Sequence, residues 1–345
     1  MKKKIAFVFA FSSNLAFAAG NCAIALNRYM KNKNYDIVML HNELPENDIT
    51  AFSKIDHVIL KRFELNEDFV QRMLNNLPKD SRFRTRNHLM CFGHFEAFKL
   101  LREYKTVIYN DVDISIQKDL SPLLEYGPIG LTEDTPWKVR DQFTKPIDGY
   151  SMDMPSFCSA VMVLNDSIPY EDMYQYLWKT SIELSYFLIN PDQSIINLAL
   201  QKFNLTPKLI PLNEYQCISW KDEAITSSVV HFGTDKKVWN NTNICNAFPE
   251  WYRTHLLWLD LGGSDFDQTK ITPRNCRGTL DAYDNAEQKI KDLSDKLRQK
   301  ESSNSKRKDF YISKLLVFSC ISIQNITRYK LFGKLTVCKS ISNIL

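Results

Sequence analysis

Short apolar runs alternate with helix-patterned stretches over the first 165 residues, and this alternation leaves few architectures open. Ile5 to Phe11, Asp36 to Leu40, His57 to Leu60, Thr106 to Tyr109 and Ala160 to Leu164 read as strands. Ala16 to Met30, Glu67 to Leu77 and Leu89 to Arg102 carry helical patterning between them. The spacing of the first two strands fits a strand–helix–strand crossover, the connection that parallel strands require. The expected fold is α/β, with a largely parallel sheet flanked by helices. Residues 166 to 205 read as mostly helical, Val229 to Phe232 as a late short strand, and no repeat of fixed period is present.

The N-terminus has two readings. Met1-Lys2-Lys3-Lys4, the run IAFVFAF and Ala16-Phe17-Ala18 imitate the charged region, apolar core and cleavage site of a secretory signal. Ser12, Ser13 and Asn14 cut the apolar run after seven residues, and a second β-like run follows at crossover spacing. A buried first strand turning into a helix is the favoured reading.

The ten glycines cannot be threaded onto a dinucleotide fingerprint, a phosphate-loop motif or a nucleophile elbow. The net charge of +4 is unevenly placed: from Asn285 onward thirteen Lys and Arg face five Asp and Glu, leaving a body with 31 basic and 35 acidic residues. An acidic body argues against nucleic acid as a partner, and a basic apolar tail suits an anionic membrane surface. Eight cysteines without a C-x-x-C pair read as reduced thiols of a cytoplasmic protein.

Leu261-Gly262-Gly263-Ser264 and the polar residues through Gly278 mark a boundary. The expected organisation is a catalytic domain over 1–260, a linker over 261–284 and a basic helical tail over 285–345. The tail's longest apolar segment, Leu315 to Ile323, is too short to span a bilayer. It suits an interfacial helix, or equally a helix packed on protein.

The chemistry concentrates in TVIYNDVDISIQKDL, residues 106 to 120. A strand ending in Asp111-Val112-Asp113 places two carboxylates at its C-terminal end, where open α/β sheets bind ligands. Alternate side chains of a strand share a face, so both aspartates can meet one Mg²⁺ or Mn²⁺ whose shell is completed by phosphate oxygens. Alone, this D-x-D fits a solvated turn better.

Three further segments accompany it. VIYNDVDISIQKDLSPL at 107 to 123, FCSAVMVLN at 157 to 165, PDQSIINLAL at 191 to 200 and HFGTDKKVW at 231 to 239 occur in an order and spacing that resemble glycosyltransferase family 8. With the N-terminal strand and turn, the resemblance spans about residues 4 to 255. It implies a GT-A-type, Rossmann-like mixed sheet and a retaining enzyme that uses nucleotide sugars.

Carried over residue by residue, it implies Asp111, Asp113 and His231 as ligands of Mn²⁺ (or Mg²⁺), and Lys237 and Gly233 at the diphosphate. It places Ala10, Ser12 and Asn14 on uridine, with Val112 as a further nucleotide contact. Asp192 and Gln193 match the family's pair in the sugar pocket; Asp192 also reads as a helix cap after Pro191. Ser12 stands where aspartate is common, Asn110 where an apolar residue is usual, and Cys158 and Ala160 where Asn and Gly are typical. A thiol cannot reproduce an amide's two-way hydrogen bonding, so these changes bear on donor recognition.

Glu133 and Asp134 read as pocket-lining. Arg84, Arg86, His88 and His94 are candidates to meet phosphate, and Trp137, Trp220 and Trp239 to stack on an acceptor sugar. The expected function is transfer of galactose or glucose from a UDP-sugar to an oligosaccharide or lipid-linked glycan, in lipopolysaccharide synthesis, by an enzyme on the inner face of the cytoplasmic membrane. The alternatives are a non-catalytic nucleotide-binding scaffold and a sugar nucleotidyltransferase, the latter lacking its usual glycine-rich loop in FAFSSNLAF.

Overall fold

The computed structural model describes residues 3–79, 81, 83–233, 237–266, 321–323 and 326–328. The chain divides into two compact units, residues 1–239 with 248–268, and residues 240–247 with 269–345.

The first unit opens with β1 (Lys3–Phe11), α1 (Ala16–Tyr29), β2 (Asp36–His41), α2 (Glu46–Ser53), β3 (Val58–Arg62) and α3 (Glu67–Asn76). Then come α4 (Gly93–Leu100), β4 (Tyr104–Asn110), β5 (Ile114–Ile116), β6 (Ile129–Lys138) and β7 (Pro155–Asn165). The rest comprises α5 (Tyr170–Glu183), α6 (Pro191–Lys202), β8 (Lys208–Leu209), α7 (Leu212–Tyr215), β9 (Cys217–Ile218) and β10 (Val229–His231), with α9 (Pro249–Asp260) at its end. In the second unit, α8 (Thr242–Ala247) is described.

Seven strands form the main sheet in the order β3-β2-β1-β4-β7-β6-β8. The β3-β2-β1-β4 half is parallel, as the crossover spacing predicts. The apolar residues of β1 and β2, and most of those of β4, are buried on both faces, while edge strand β3 is half-buried; Ala6, Phe7, Val8 and Phe9 of β1 are fully enclosed. That is why these strands read as continuous apolar runs rather than alternating ones.

The other half departs from a largely parallel sheet: β7 runs antiparallel to both β4 and β6. Residues 139–154 join β6 to β7 without an α-helix on the sheet face, and a direct return of this kind pairs antiparallel. Asn110, the last residue of β4, pairs with Val161, so β7 upstream of Val161 extends past the end of β4 together with the second half of β6. This ribbon forms one wall at the carboxyl end of the sheet. A three-stranded sheet, β5-β10-β9, forms another.

The helix expected over Leu89 to Arg102 is split into a 3-10 turn at His88–Phe92 and α4. Gly93 sits at the junction, where a Cβ would overlap Ala10 of β1. The missing side chain lets α4 start against the end of that strand.

Most of the expected linker and tail, including residues 267–320, 324–325 and 329–345, lies outside the described residues. Where a helix is expected in the tail, Ile321–Ile323 and Ile326–Arg328 pair as antiparallel strands β11 and β12. Alternating β-branched and polar residues, Ile-Ser-Ile and Ile-Thr-Arg, suit that conformation. Among the described residues no helix is long and apolar enough to cross a membrane.

Candidate active site at the carboxyl end of the sheet

β4 ends at Asn110, and the chain turns through Asp111-Val112-Asp113 into β5. The Asp111 amide donates to the Ala160 carbonyl of β7 at 3.0 Å, and the Phe232 amide to the Asp113 carbonyl at 2.8 Å. Antiparallel pairing of β10 with β5 sets His231 opposite Ile114. These bonds bring together two carboxylates and an imidazole, with Asp113 and His231 118 positions apart in the sequence. One ligand atom from each of Asp111, Asp113 and His231 lies within 4.8 Å of the others. His231 Nε2 is 3.3 Å from Asp113 Oδ1 and 3.8 Å from Asp111 Oδ2. Two oxygens and one nitrogen in this arrangement fit a divalent ion of borderline hardness.

Lys237 pairs with Asp113 Oδ2, and its ammonium also donates to the Phe232 carbonyl at 2.8 Å. Burial opposes the charge of Asp113, but His231 and Lys237 outweigh it and hold the carboxyl well below the usual range. For His231, burial favours the neutral ring, yet Asp113 and then Asp111 raise its pKa above the ordinary value. Val112 is buried, and its carbonyl accepts from the Cys22 thiol at 3.6 Å.

The second group of side chains stands on α6 and the β6–β7 ribbon. Asn197 pins helix to strand: its Nδ2 donates to the Phe157 carbonyl and its Oδ1 accepts from the Phe157 amide, both at 2.8 Å. Asn190 is the N-cap of α6, so Asp192 falls inside the first turn and does not cap it. Its Oδ2 instead accepts from Ser159 Oγ at 2.8 Å. Gln193 Nε2 donates to Asp134 Oδ2 at 2.8 Å. Burial raises the Asp134 pKa, and the Gln193 bond partly offsets it. Cys158 Sγ accepts from Gln216 Nε2 at 3.0 Å, while Gln216 Oε1 accepts from the Thr132 hydroxyl. Burial pushes the Cys158 thiol up to about 12, so it stays protonated at neutral pH.

His94 lies between the two groups. Its Nε2 is 3.2 Å from Asp111 Oδ1 and its Nδ1 is 3.2 Å from Asp192 Oδ2. The Nδ1 proton is also directed at the Cys91 carbonyl, and the ring stacks on Tyr109 with centroids 4.0 Å apart. Burial works against the imidazolium, but Asp192 and Asp111 prevail and raise the pKa to about 9.

At the N-terminal turn Ser12 Oγ donates to Asn14 Oδ1, and the Ser13 amide to Asn42 Oδ1 at 3.2 Å. Ala10 is half-buried, Ser12 buried and Asn14 exposed. Of the four cationic candidates upstream of β4, the structure brings His94 to the carboxylates; Arg86 pairs with Glu67 and His88 with Thr85 on the surface. Trp239 is half-buried and packs edge-on against Phe17 at 5.2 Å. Trp137 and Trp220 remain exposed. A cleft of about 890 Å³ opens at the far end of α6, lined by Tyr150, Phe157, Gln201 and Leu205. The carboxylates lie at the helix's other end, so this volume and the chemistry do not coincide.

Ser159 and Gln216 did not stand out in the sequence. Ser159 lies inside the FCSAVMVLN segment, where position alone marks it; Gln216 carries no local signal. Both acquire their contacts from elements distant in the chain.

Comparison with solved structures shows the same fold. The bifunctional glycosyltransferase WbbM matches with a TM-score of 0.56 and 18% identity, over 76% of this chain and 51% of that one. This chain therefore spans about half the length of WbbM. The galactosyltransferase LgtC, solved with donor and acceptor sugar analogues, matches with a TM-score of 0.52 and 14% identity, over 75% of this chain and 97% of that one. No curated protein sequence matches the chain. The family model described as glycosyl transferase family 8 matches residues 6–243, and with the GT-A-type sheet in place this chain belongs to that family of glycosyltransferases.

Proposed function

We propose that this protein is a retaining, Mn²⁺-dependent hexosyltransferase that moves galactose or glucose from a UDP-sugar onto a glycan acceptor, an oligosaccharide of lipopolysaccharide. The observation that carries this reading is the Asp111, Asp113 and His231 cluster standing one histidine away from Asp192 and Gln193.

The three ligands would hold the divalent ion, which when bound supplies positive charge to the diphosphate leaving group. Lys237 contacts the same diphosphate. A Cβ on Gly233 would meet nothing closer than the His231 ring at 3.8 Å, so packing does not demand glycine there; close approach of the phosphates gives it a purpose. Ala10, Ser12, Asn14 and Val112 hold the nucleoside. Asp192 and Gln193 bind the sugar hydroxyls, and their negative end stabilises the oxocarbenium-like charge that develops at the anomeric carbon. Gln193 is a weak nucleophile, tied to Asp134 and Ser159. A front-face substitution, in which the departing diphosphate takes the acceptor's proton, suits these groups.

Release of UDP from UDP-galactose and UDP-glucose, with Mn²⁺ and with EDTA, tests the reading. One sugar is expected to turn over with Mn²⁺ and to slow by about 10² or more with EDTA. Equal turnover in EDTA would overturn the metal assignment. Metal-dependent UDP binding without turnover of any sugar, with or without acceptor, would leave a scaffold instead.

A further inference from the structure

We propose that Gln216 is a positioning residue that ties the wall carrying His231 to the β6–β7 ribbon, and so sets the place of the donor sugar relative to the diphosphate. The inference rests on the reading of Asp192 and Gln193 as sugar-binding and of the Asp111, Asp113 and His231 cluster as metal-binding.

β6 and β7 fall out of step where the two halves of the site meet. Leu131 pairs with Met162 but Thr132 pairs with Cys158, so residues 159–161 of β7 bulge out with no residue of β6 opposite them. A bulge re-aims side chains and often lies beside an active site. Here the Ala160 carbonyl accepts from the Asp111 amide, while Ser159 donates from its amide to Gln193 Oε1 at 3.4 Å and from its hydroxyl to Asp192 Oδ2. One end of the bulge is secured by β4, through Val161 opposite Asn110. At the other end Thr132 and Cys158 form the first pair beyond it, and Gln216 bonds both: Nε2 donates to Cys158 Sγ and Oε1 accepts from the Thr132 hydroxyl. Thr132 is fully buried and Gln216 is 5% exposed, so both bonds are shielded from water. Gln216 is itself anchored in the opposite wall. Its amide donates to the Leu212 carbonyl at 3.0 Å, and the next two residues form β9, where Ile218 pairs with His231. Asn197 holds the same ribbon end to α6, whereas Gln216 holds it to the strand beside His231. The nucleotide diphosphate needs the metal wall alone, but the sugar needs both walls in register. Loss of this tie is therefore felt by the sugar more than by the nucleotide.

The test is calorimetric binding of UDP, UDP-galactose and UDP-glucose to the purified full chain at saturating Mn²⁺. Gln216→Met removes both bonds at similar side-chain length. It is expected to lower the affinity for the bound UDP-sugar relative to UDP by about tenfold, while UDP affinity stays within about twofold of wild type. Thr132→Val removes one of the two bonds and is expected to lower the same ratio by about threefold. The double variant is expected to fall no further than Gln216→Met, because residues that act through one contact are not additive. Thermal unfolding confirms that each variant is folded, and Thr132→Val carries the test alone if Gln216→Met is not. A Gln216→Met protein whose ratio does not fall, or which loses UDP and UDP-sugar affinity alike, overturns the proposal; so does a double variant in which the two losses multiply. Failure of the underlying site assignment looks different: wild type itself would show no Mn²⁺-dependent UDP binding.

Discussion

The proposed metal side of this site is assembled from strand ends, whereas the proposed sugar side is assembled from side-chain hydrogen bonds between a helix and a two-stranded ribbon. On the metal side, Asp111 and Asp113 flank the turn from β4 to β5, and β-ladder pairing aligns His231 with them. Backbone bonds fix all three, so few alternative residues satisfy the geometry. On the sugar side, Cys158, Ser159, Asp192, Gln193 and Gln216 are linked mainly through side chains. Such a network can exchange members, and here a thiol and a glutamine meet where the family typically has an asparagine at position 158. The difference teaches that a cluster fixed by backbone pairing and one fixed by side-chain hydrogen bonds can vary separately on one scaffold.

The largest expected effect breaks the metal side alone. Asp113→Ala removes a proposed metal ligand, the carboxylate that Lys237 and His231 share. Turnover of the UDP-sugar is expected to fall by about 10³ or more, with unfolding temperature little changed. A loss below about tenfold in a UDP-release assay would show that the reaction does not depend on this cluster.

A smaller effect, in pH, sharpens the contrast. Without metal, neighbouring carboxylates raise the His231 pKa, and a proton on Nε2 competes with the ion. Below its folded-state pKa the histidine is mostly protonated, so Mn²⁺ binding releases a proton and weakens as pH falls. As pH falls below that raised pKa, Mn²⁺ affinity is expected to drop by up to about tenfold per unit. The preference between UDP-galactose and UDP-glucose at saturating metal is expected to stay flat, since the Cys158 thiol and Gln216 amide keep their protonation. Calorimetry across that range checks the first, competition kinetics the second; a flat Mn²⁺ affinity would remove His231 from the ligand set.

The smallest effect belongs to the sugar side. Cys158→Asn restores a two-way hydrogen-bonding group beside Gln216 and is expected to change the ratio of kcat/KM for the two UDP-sugars by about fivefold, with Mn²⁺ affinity unchanged. An unchanged ratio would mean that Cys158 does not face the donor.

Parts of this arrangement were legible before any coordinates. The parallel half of the sheet announced itself because strands buried on both faces must be apolar throughout, as in Phe7, Val8 and Phe9. The β6 strand did not: its second half, Glu133 to Lys138, is polar, contains Pro136 and lies outside the enclosed core. Asp111, Asp113 and His231 were readable as an ordered motif set. His94 was readable only as one of four cationic residues before β4, and its neighbours in sequence, Arg86 and His88, turn to surface partners. Gln216 had no signal at all, because Cys158 and Thr132, the residues it touches, are far from it in sequence.

The sequence by itself determined the alternation of strands and helices, the residue types at the strand ends and the uneven charge of body and tail, because backbone preference and solvation act locally on the chain. Only the tertiary structure decided which carboxylates face one another, that β7 turns back against β4, and that a single buried histidine stands between Asp111 and Asp192. Those outcomes depend on packing between residues up to about a hundred positions apart, where loop closure and burial, rather than local propensity, select the pairing.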